Sequence, residues 1–395
     1  MLNFTVLISH LSQKLWVRVT CLLGACVLLI IASIIGFNQH FDTKYLYVAG
    51  LSWWEGSNAY DPEVASRLGA NQSLGSFFYP PQIAPLCLLL GAFPWTQAKV
   101  VMTLLNVFSA GVLAYLCVLL VKQPQVKQLR VSGSGSVWFI PAIVLANPFT
   151  LNVILLGQTT LIVAAALVSG WYYAYRNRWV LSGILIAIST IKPQLSLLVI
   201  LWLLLERCWR LLAVAALTTL IFCLVPIVIT GPIDVFVEWF ASIGEHKNVF
   251  ANVLGSPAVF SIQNLLYTAG IQVPQLFLLK IVIIVLLWRY RSRLIIDDLI
   301  GLLLAISVLF GVAHHYDLIA LAPLMAAFWW HLPHYPRATF IALTVMFVMF
   351  FPRNVLMTFI NNELLLQYRV ILVLGATIGL GVMSIQRQAE IQRVQ

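Results

Sequence analysis

A chain of 395 residues that is 61% hydrophobic and only 9% charged, with a mean hydropathy of +0.95, lies far outside the range of soluble globular domains. That composition marks an integral membrane protein, with the bilayer as solvent for most of its length. The formal charge of +10 does not point to a nucleic-acid partner, because the basic residues fall as pairs and triplets between apolar runs, where they read as topology signals.

Lys14 and Arg18 precede an apolar run ending near Phe37. The run is long for a signal-peptide core and lacks a convincing cleavage site, so it reads as a retained first helix. Candidate spans then follow almost end to end: 17–36, 98–121, 137–155, 159–175, 179–191, 193–206, 211–230, 275–290, 295–312, 316–332, 338–351 and 369–385. Together they predict an all-α polytopic membrane protein of about 11–13 transmembrane helices, organised as a single domain over residues 1–395. FFYPPQIAPLCLLLGAFPW, residues 77–95, is long enough for a short span but has prolines at both ends and in the middle. If it spans, 137–155 dips in and returns. Several runs are shorter than the ~20 residues needed to cross ~30 Å. Breaks at Asn147 and Pro148 and at Lys192 and Pro193 therefore predict discontinuous helices lining a cavity.

The basic clusters assign sides. Lys14 and Arg18; Lys122, Lys127 and Arg130; Arg176 and Arg178; Arg207 and Arg210; Arg289, Arg291 and Arg293; Arg337; and Arg387 and Arg393 can all be cytoplasmic together. The opposite, outer face then receives 37–78, 147–158, the region around Lys192, 231–260, the region around His314, and 352–368.

The first outer loop, 37–78, holds Asp42, Glu55, Asp61 and Glu63, four of only 13 acidic residues in the protein. It also carries Tyr45, Tyr47, Trp53, Trp54 and Tyr60, which an interfacial aromatic belt explains as well as a binding site does. Asp42 stands apart. A carboxylate a few residues past a helix end, at membrane-surface depth, is placed to act on a substrate held there by a lipid tail. In NPFTLNVILLGQTT the amides of Asn147 and Gln158 can bind sugar hydroxyls or satisfy backbone groups freed at Pro148. Lys192, in STIKPQLS, either snorkels to the interface or supplies a cation for a phosphate or pyrophosphate. GVAHHYD brings His314, His315, Tyr316 and Asp317 to the same side. No third ligand is spaced as in zinc motifs, so no metal is expected there. Asp297 and Asp298 lie near Arg293 and read as a solvated charge pair. The six cysteines, without CxxC spacing, read as small buried packing residues.

No phosphate loop, GxGxxG turn, GxSxG elbow or HExxH motif is present, which argues against nucleotide-driven pumping and the corresponding hydrolases. The absence of a DxD stretch argues against a metal-dependent enzyme using a cytoplasmic nucleotide-sugar. No cofactor is expected.

In order, FDTKYLYVAG, NAYDP, FFYPPQIAPL, NPFTLNVILLGQTTL, SGILIAISTIKPQLSLLVI and HHYDLIALAPLM resemble the membrane glycosyltransferases of family 87. Those enzymes adopt the GT-C fold and use polyprenyl-phosphate sugars. The Ser-Pro and Trp residues common before the histidines in that family are replaced here by LFGVA. The resemblance implies that Asp42 is the catalytic base and that one of His314 and His315 lies near the active site. It also implies inverting transfer of mannose or a related sugar from a polyprenyl-phosphate sugar donor to a glycolipid or glycan acceptor. The enzyme would be a multi-pass protein of the plasma (inner) membrane with an extracytoplasmic active site. On this expectation Lys192 and a histidine stabilise the departing phosphate, and Tyr45, Asn147 and Gln158 orient the sugar. A lipid-linked glycan flippase or secondary transporter would also have many helices and broken segments. Transporters usually show internal repeats and midplane acids, whereas here no repeat is evident and the acids cluster in one outer loop.

Overall fold

A computed structural model of the chain describes residues 15–69, 77–122, 139–246, 252–274, 276–331, 334–351 and 362–394, with isolated positions between them. Lys14, Lys127 and Arg130, used above to assign sides, lie outside the described residues. In chain order the helices are α1 (Leu15–Gly36), α2 (Phe41–Trp54), α3 (Pro62–Arg67), α4 (Ala84–Gly91), α5 (Trp95–Lys122), α6 (Phe139–Leu145), α7 (Pro148–Leu156), α8 (Thr160–Ala174), α9 (Trp179–Ser189) and α10 (Pro193–Leu205). They continue as α11 (Trp209–Phe222), α12 (Leu224–Thr230), α13 (Asp234–His246), α14 (Ile262–Thr268), α15 (Phe277–Arg289), α16 (Ile296–Leu309), α17 (Ala322–His331), α18 (Pro336–Met349), α19 (Glu363–Leu366) and α20 (Tyr368–Val394). Among the described residues the only sheet is a two-residue antiparallel ladder of β1 (Val259–Phe260) and β2 (Ala313–His314), with Val259 opposite His314. The molecule is an all-α membrane protein.

Among the described residues, four stretches are long and apolar enough to cross a bilayer: Leu15–Gly36, Trp95–Val121, Phe139–Leu156 and Tyr368–Arg393. A fifth arises if α11 and α12, bent by 46° at Cys223, act as one. The shorter runs stay short for a physical reason. Helices α8, α9 and α10 have 15, 11 and 13 residues, so each rises only about 16–23 Å. Their ends are broken by Gly157, by the Arg176–Arg178 turn and by Lys192–Pro193; Gly157 and Lys192 are buried in protein, whereas Asn177 and Arg178 are exposed. Thirteen residues of α8 and twelve of α16 are buried, which makes these two helices the centre of the core. By contrast α1 buries only Ala25, Leu29, Ala32 and Gly36. Its remaining apolar surface, with Leu23 and Ile34 more than 60% exposed, is what a lipid-facing helix presents.

The segment 77–95 does not form a long helix. A short 3₁₀ turn, Pro81–Ile83, leads into α4, and the 11-residue unit packs on α2 instead of crossing. Gly50 and Gly91 make the contact possible. A Cβ at Gly50 would stand 1.9 Å from the Cys87 carbonyl oxygen, and one at Gly91 would stand 2.7 Å from the Gly50 carbonyl carbon. Backbone touches backbone, as at small-residue crossings in membranes.

Residues 37–78 are likewise more ordered than a loop. Helix α2 starts only a few residues after α1, and its apolar positions Leu46, Ala49 and Trp53 recur at helical spacing and are buried. Asp42 therefore sits in the first turn of a helix, where the N-terminal dipole favours its negative form. Two other expectations are corrected. Asp298 is buried and bonded to His331, Oδ2 to Nε2 at 2.9 Å, so it clamps α16 to α17 instead of forming a solvated pair. Of the cysteines, Cys87, Cys117 and Cys223 are buried, but Cys26 is exposed on α1.

Gly50→Ala should therefore lower stability by about 1–3 kcal/mol through overpacking. The control Gly111→Ala, which meets nothing within 4 Å, should be neutral or slightly stabilising. Thermal unfolding of the two variants in detergent checks this.

Candidate functional site

Four interruptions of helical structure converge. They are the α1–α2 joint with His40 and Asp42, the α7–α8 break with Gln158 and Thr160, the α9–α10 break with Lys192, and the α16–α17 connection with His314, His315, Tyr316 and Asp317. Each break has a local cause. Asn147 caps α7 by accepting from the Phe149 N–H at 2.9 Å, with Pro148 at the first helical position. Gly157 then ends α7 in the left-handed region at φ 66°. Lys192 precedes α10, and Pro193 takes the first helical position where no N–H is needed. The 3₁₀ turn His315–Leu321 is started by Asp317, whose Oδ2 accepts from the His314 N–H at 3.0 Å.

The centre of the cluster is a buried triangle. Lys192 Nζ donates to Asp317 Oδ1 at 2.8 Å and to Thr160 Oγ1 at 2.7 Å, and Thr160 Oγ1 donates to the same Asp317 oxygen at 2.7 Å. Lys192 is 5% exposed and Asp317 0%, so Lys192 neither snorkels nor presents an unpaired cation. Its nitrogen also lies 4.8 Å from the centre of the Tyr316 ring.

Asp42 adjoins this triangle. Gln158 adjoins its carboxylate and favours the charged form. The amide orientation of Gln158 is fixed by three further contacts: Oε1 accepts from Tyr79 Oη at 3.2 Å and from the Thr159 N–H at 3.3 Å, and Nε2 donates to Tyr316 Oη at 3.1 Å. Asp42 retains some exposure. Its enclosure by protein pushes the carboxyl from 3.8 to about 6, with Lys192 and Gln158 pulling it down and Asp317 pushing it up. Tyr45, one turn further along α2, packs edge-on against Phe78 with ring centres 5.5 Å apart. Burial and then the Asp42 charge raise its hydroxyl to about 12, so it remains a donor.

Two histidine contacts stitch the α16–α17 connection to residues 257–260. His314 Nδ1 donates to the Ala258 carbonyl at 3.2 Å, and His315 Nε2 to the Pro257 carbonyl at 2.9 Å. The His314 ring also stacks on Tyr316 at 5.2 Å. The two imidazoles thus turn to different carbonyls, and no group of three His, Cys, Asp or Glu side chains able to hold a metal exists among the described residues.

The geometry brings Asp42, Gln158, Lys192 and the HHYD segment together through direct bonds and charge coupling. For Asn147 it shows an occupied side-chain oxygen, engaged in capping. Sequence reasoning missed His40. This residue is fully buried, adopts φ 37° and ψ 41°, and precedes α2. Its Nδ1 donates to Thr43 Oγ1 at 2.9 Å, Thr43 Oγ1 donates to the Gly157 carbonyl at 3.1 Å, and Thr103 Oγ1 donates to His40 Nε2 at 3.2 Å. One tautomer satisfies the whole chain. Burial, then Lys99, lowers the imidazole to about 4, which keeps that neutral tautomer in place. Asp317 was visible as part of a polar cluster, but not as the partner of Lys192.

Removing either partner of the triangle leaves a buried charge uncompensated. Lys192→Met and Asp317→Asn should each destabilise by about 3–5 kcal/mol, and the apolar double variant Lys192→Met with Asp317→Leu should recover most of that. Melting temperatures of the three variants check it.

Residues 77–310 match the family model of glycosyltransferase family 87. No curated protein and no solved structure matches the chain. Asn147, Gln158 and Lys192 fall inside the matched stretch, whereas Asp42 and the HHYD segment flank it. A match over more than half of the chain, on an all-α membrane scaffold whose broken helices gather buried polar groups, makes this protein a member of glycosyltransferase family 87 and a glycosyltransferase.

Proposed function

We propose that the enzyme moves a hexose, mannose or a close relative, from a polyprenyl-phosphate carrier to a hydroxyl of a glycolipid or glycan acceptor, with inversion, at the extracytoplasmic face of the plasma membrane. One observation carries the reading: Asp42, a residue that keeps some exposure, is a carboxylate pushed up to about 6 beside a Gln158 that Tyr79 and Tyr316 hold in place. A general base works best with a pKa near the operating pH and with its oxygen held toward the proton it takes. A single displacement uses such a group once. The acceptor oxygen loses its proton to Asp42 and forms a bond to the anomeric carbon from the face opposite the phosphate. The carbon–oxygen bond to phosphate breaks, and its electron pair leaves with the polyprenyl phosphate.

The remaining residues take parts consistent with their contacts. Tyr45 offers a hydroxyl to the sugar, and Asn147, its oxygen engaged at the cap, has its NH₂ for the same purpose. Lys192 reaches a phosphate only by sharing or leaving Asp317. His314 and His315 each bond a carbonyl through one nitrogen, so a contact with the phosphate uses the other nitrogen in its protonated form.

Asp42→Asn should reduce sugar transfer by about 10²–10⁴-fold while binding of the donor is kept. Undiminished release of polyprenyl phosphate by a well-folded Asp42→Asn protein would sink the assignment. The pH dependence follows from the same group. Below about pH 6 Asp42 is protonated and cannot accept the acceptor's proton, so kcat/KM should fall tenfold per unit there and level off above. In the Asp42→Asn variant that limb should vanish.

A further inference from the structure

Lys192 and Asp317 cancel, and Asp42 adds a negative charge beside them. A lipid phosphate arriving there needs a cation that is not already engaged. Lys280 meets that description. It lies in the first turn of α15 and is 5% exposed, and among the described residues its ammonium meets no carboxylate and makes no side-chain hydrogen bond. The first turn of a helix is also the wrong end for a positive charge. A buried lysine with no partner is costly unless something pairs with it.

The surroundings indicate what that partner is. The nitrogen faces Gly311, where a Cβ would stand 3.3 Å from Nζ and 2.5 Å from the Ser307 carbonyl oxygen. Gly311 opens the segment that carries His314 and Asp317. Next to Gly311 the surface opens at Val312, which is 53% exposed, and the side of α15 turned away from Lys280 is apolar and open, with Leu278 74% and Val282 51% exposed, a face suited to acyl or prenyl chains rather than water. An ammonium beside the opening at Val312, on a flexible stem that can swing outward, is matched to an anionic headgroup whose tail stays in the bilayer.

We propose that Lys280 receives the phosphate of the polyprenyl-phosphate carrier, which enters sideways from the bilayer past Val312 with its prenyl chain along the outer face of α15. The inference rests on the donor class proposed above. The competing role is purely structural, with Lys280 facing the carbonyl end of α16 as a helix cap.

The test uses the full chain in nanodiscs of zwitterionic lipid, with binding of undecaprenyl phosphate and of undecaprenol measured by native mass spectrometry and melting temperature recorded for each variant. Expected for the unaltered protein is a preference for the phosphate over the alcohol. Lys280→Gln should weaken phosphate binding roughly 10- to 100-fold, leave undecaprenol binding unchanged and not lower the melting temperature, and Lys280→Arg should restore most of the affinity. Val312→Glu, which keeps the lysine but sets a rival anion beside it, should weaken phosphate binding to a similar degree and decides the matter if Lys280→Gln does not fold. Unchanged phosphate affinity in Lys280→Gln, with or without a lower melting temperature, overturns the proposal and leaves the functional reading intact. Equal binding of phosphate and alcohol by the unaltered protein overturns both. Displacement of undecaprenyl phosphate by an equal amount of phosphatidylglycerol assigns Lys280 to bilayer lipid and overturns the carrier assignment.

Discussion

A lysine and an aspartate that leave water together must stay together, and the 2.8 Å contact of Lys192 with Asp317 enforces this between positions 125 residues apart. The pair joins the break before α10 to the connection before α17, and Thr160 brings in the start of α8. Buried ion pairs contribute little net stability compared with apolar packing. Their effect is to reject alternatives, because any register that separates the two charges leaves each of them bare in a low-dielectric interior. Three short helices that could otherwise slide in an apolar medium are thereby held with their broken ends facing one another.

Holding those ends together creates a polar interior in a molecule that has few charged groups. Each break releases backbone groups that need partners, and the side chains that supply them also line the space between the helices. Asn147 is spent in this way at a cap. Gln158 stands at such a break too, but its three hydrogen bonds fix its amide beside Asp42. The same economy leaves the cluster short of positive charge, since its one lysine is already engaged.

Much of this was readable from residue order. The apolar runs foretold the membrane helices, though not α2, α3 and α13, which lie in stretches that read as outer loops, and Pro148 and Pro193 marked where helices would break, because a residue lacking an N–H belongs at a first helical position. Asp42 stood out because a carboxylate is rare beside a membrane helix. What was hidden was pairing over distance. Nothing in STIKPQLS names Asp317, nothing near Asp298 names His331, and Lys280 looks like any lysine at a helix start until its lack of a carboxylate partner among the described residues is seen. The 77–95 segment was ambiguous for a related reason. Its proline content was legible, but its packing on α2 depended on two glycines 41 positions apart.

The buried imidazole at position 40 narrows which sequences this joint can accept. The site asks for a left-handed backbone, a donor toward Thr43, and an acceptor for Thr103 on the far side of the same side chain. Asparagine tolerates that backbone but is too short to span both threonines. Glutamine spans the distance with a donor and an acceptor on one terminal carbon, where they cannot face opposite ways across a ring. Glycine supplies the backbone and neither bond. Histidine is the one side chain that meets all three demands, so variation among functional versions of this enzyme should be least at a residue that never meets the substrate.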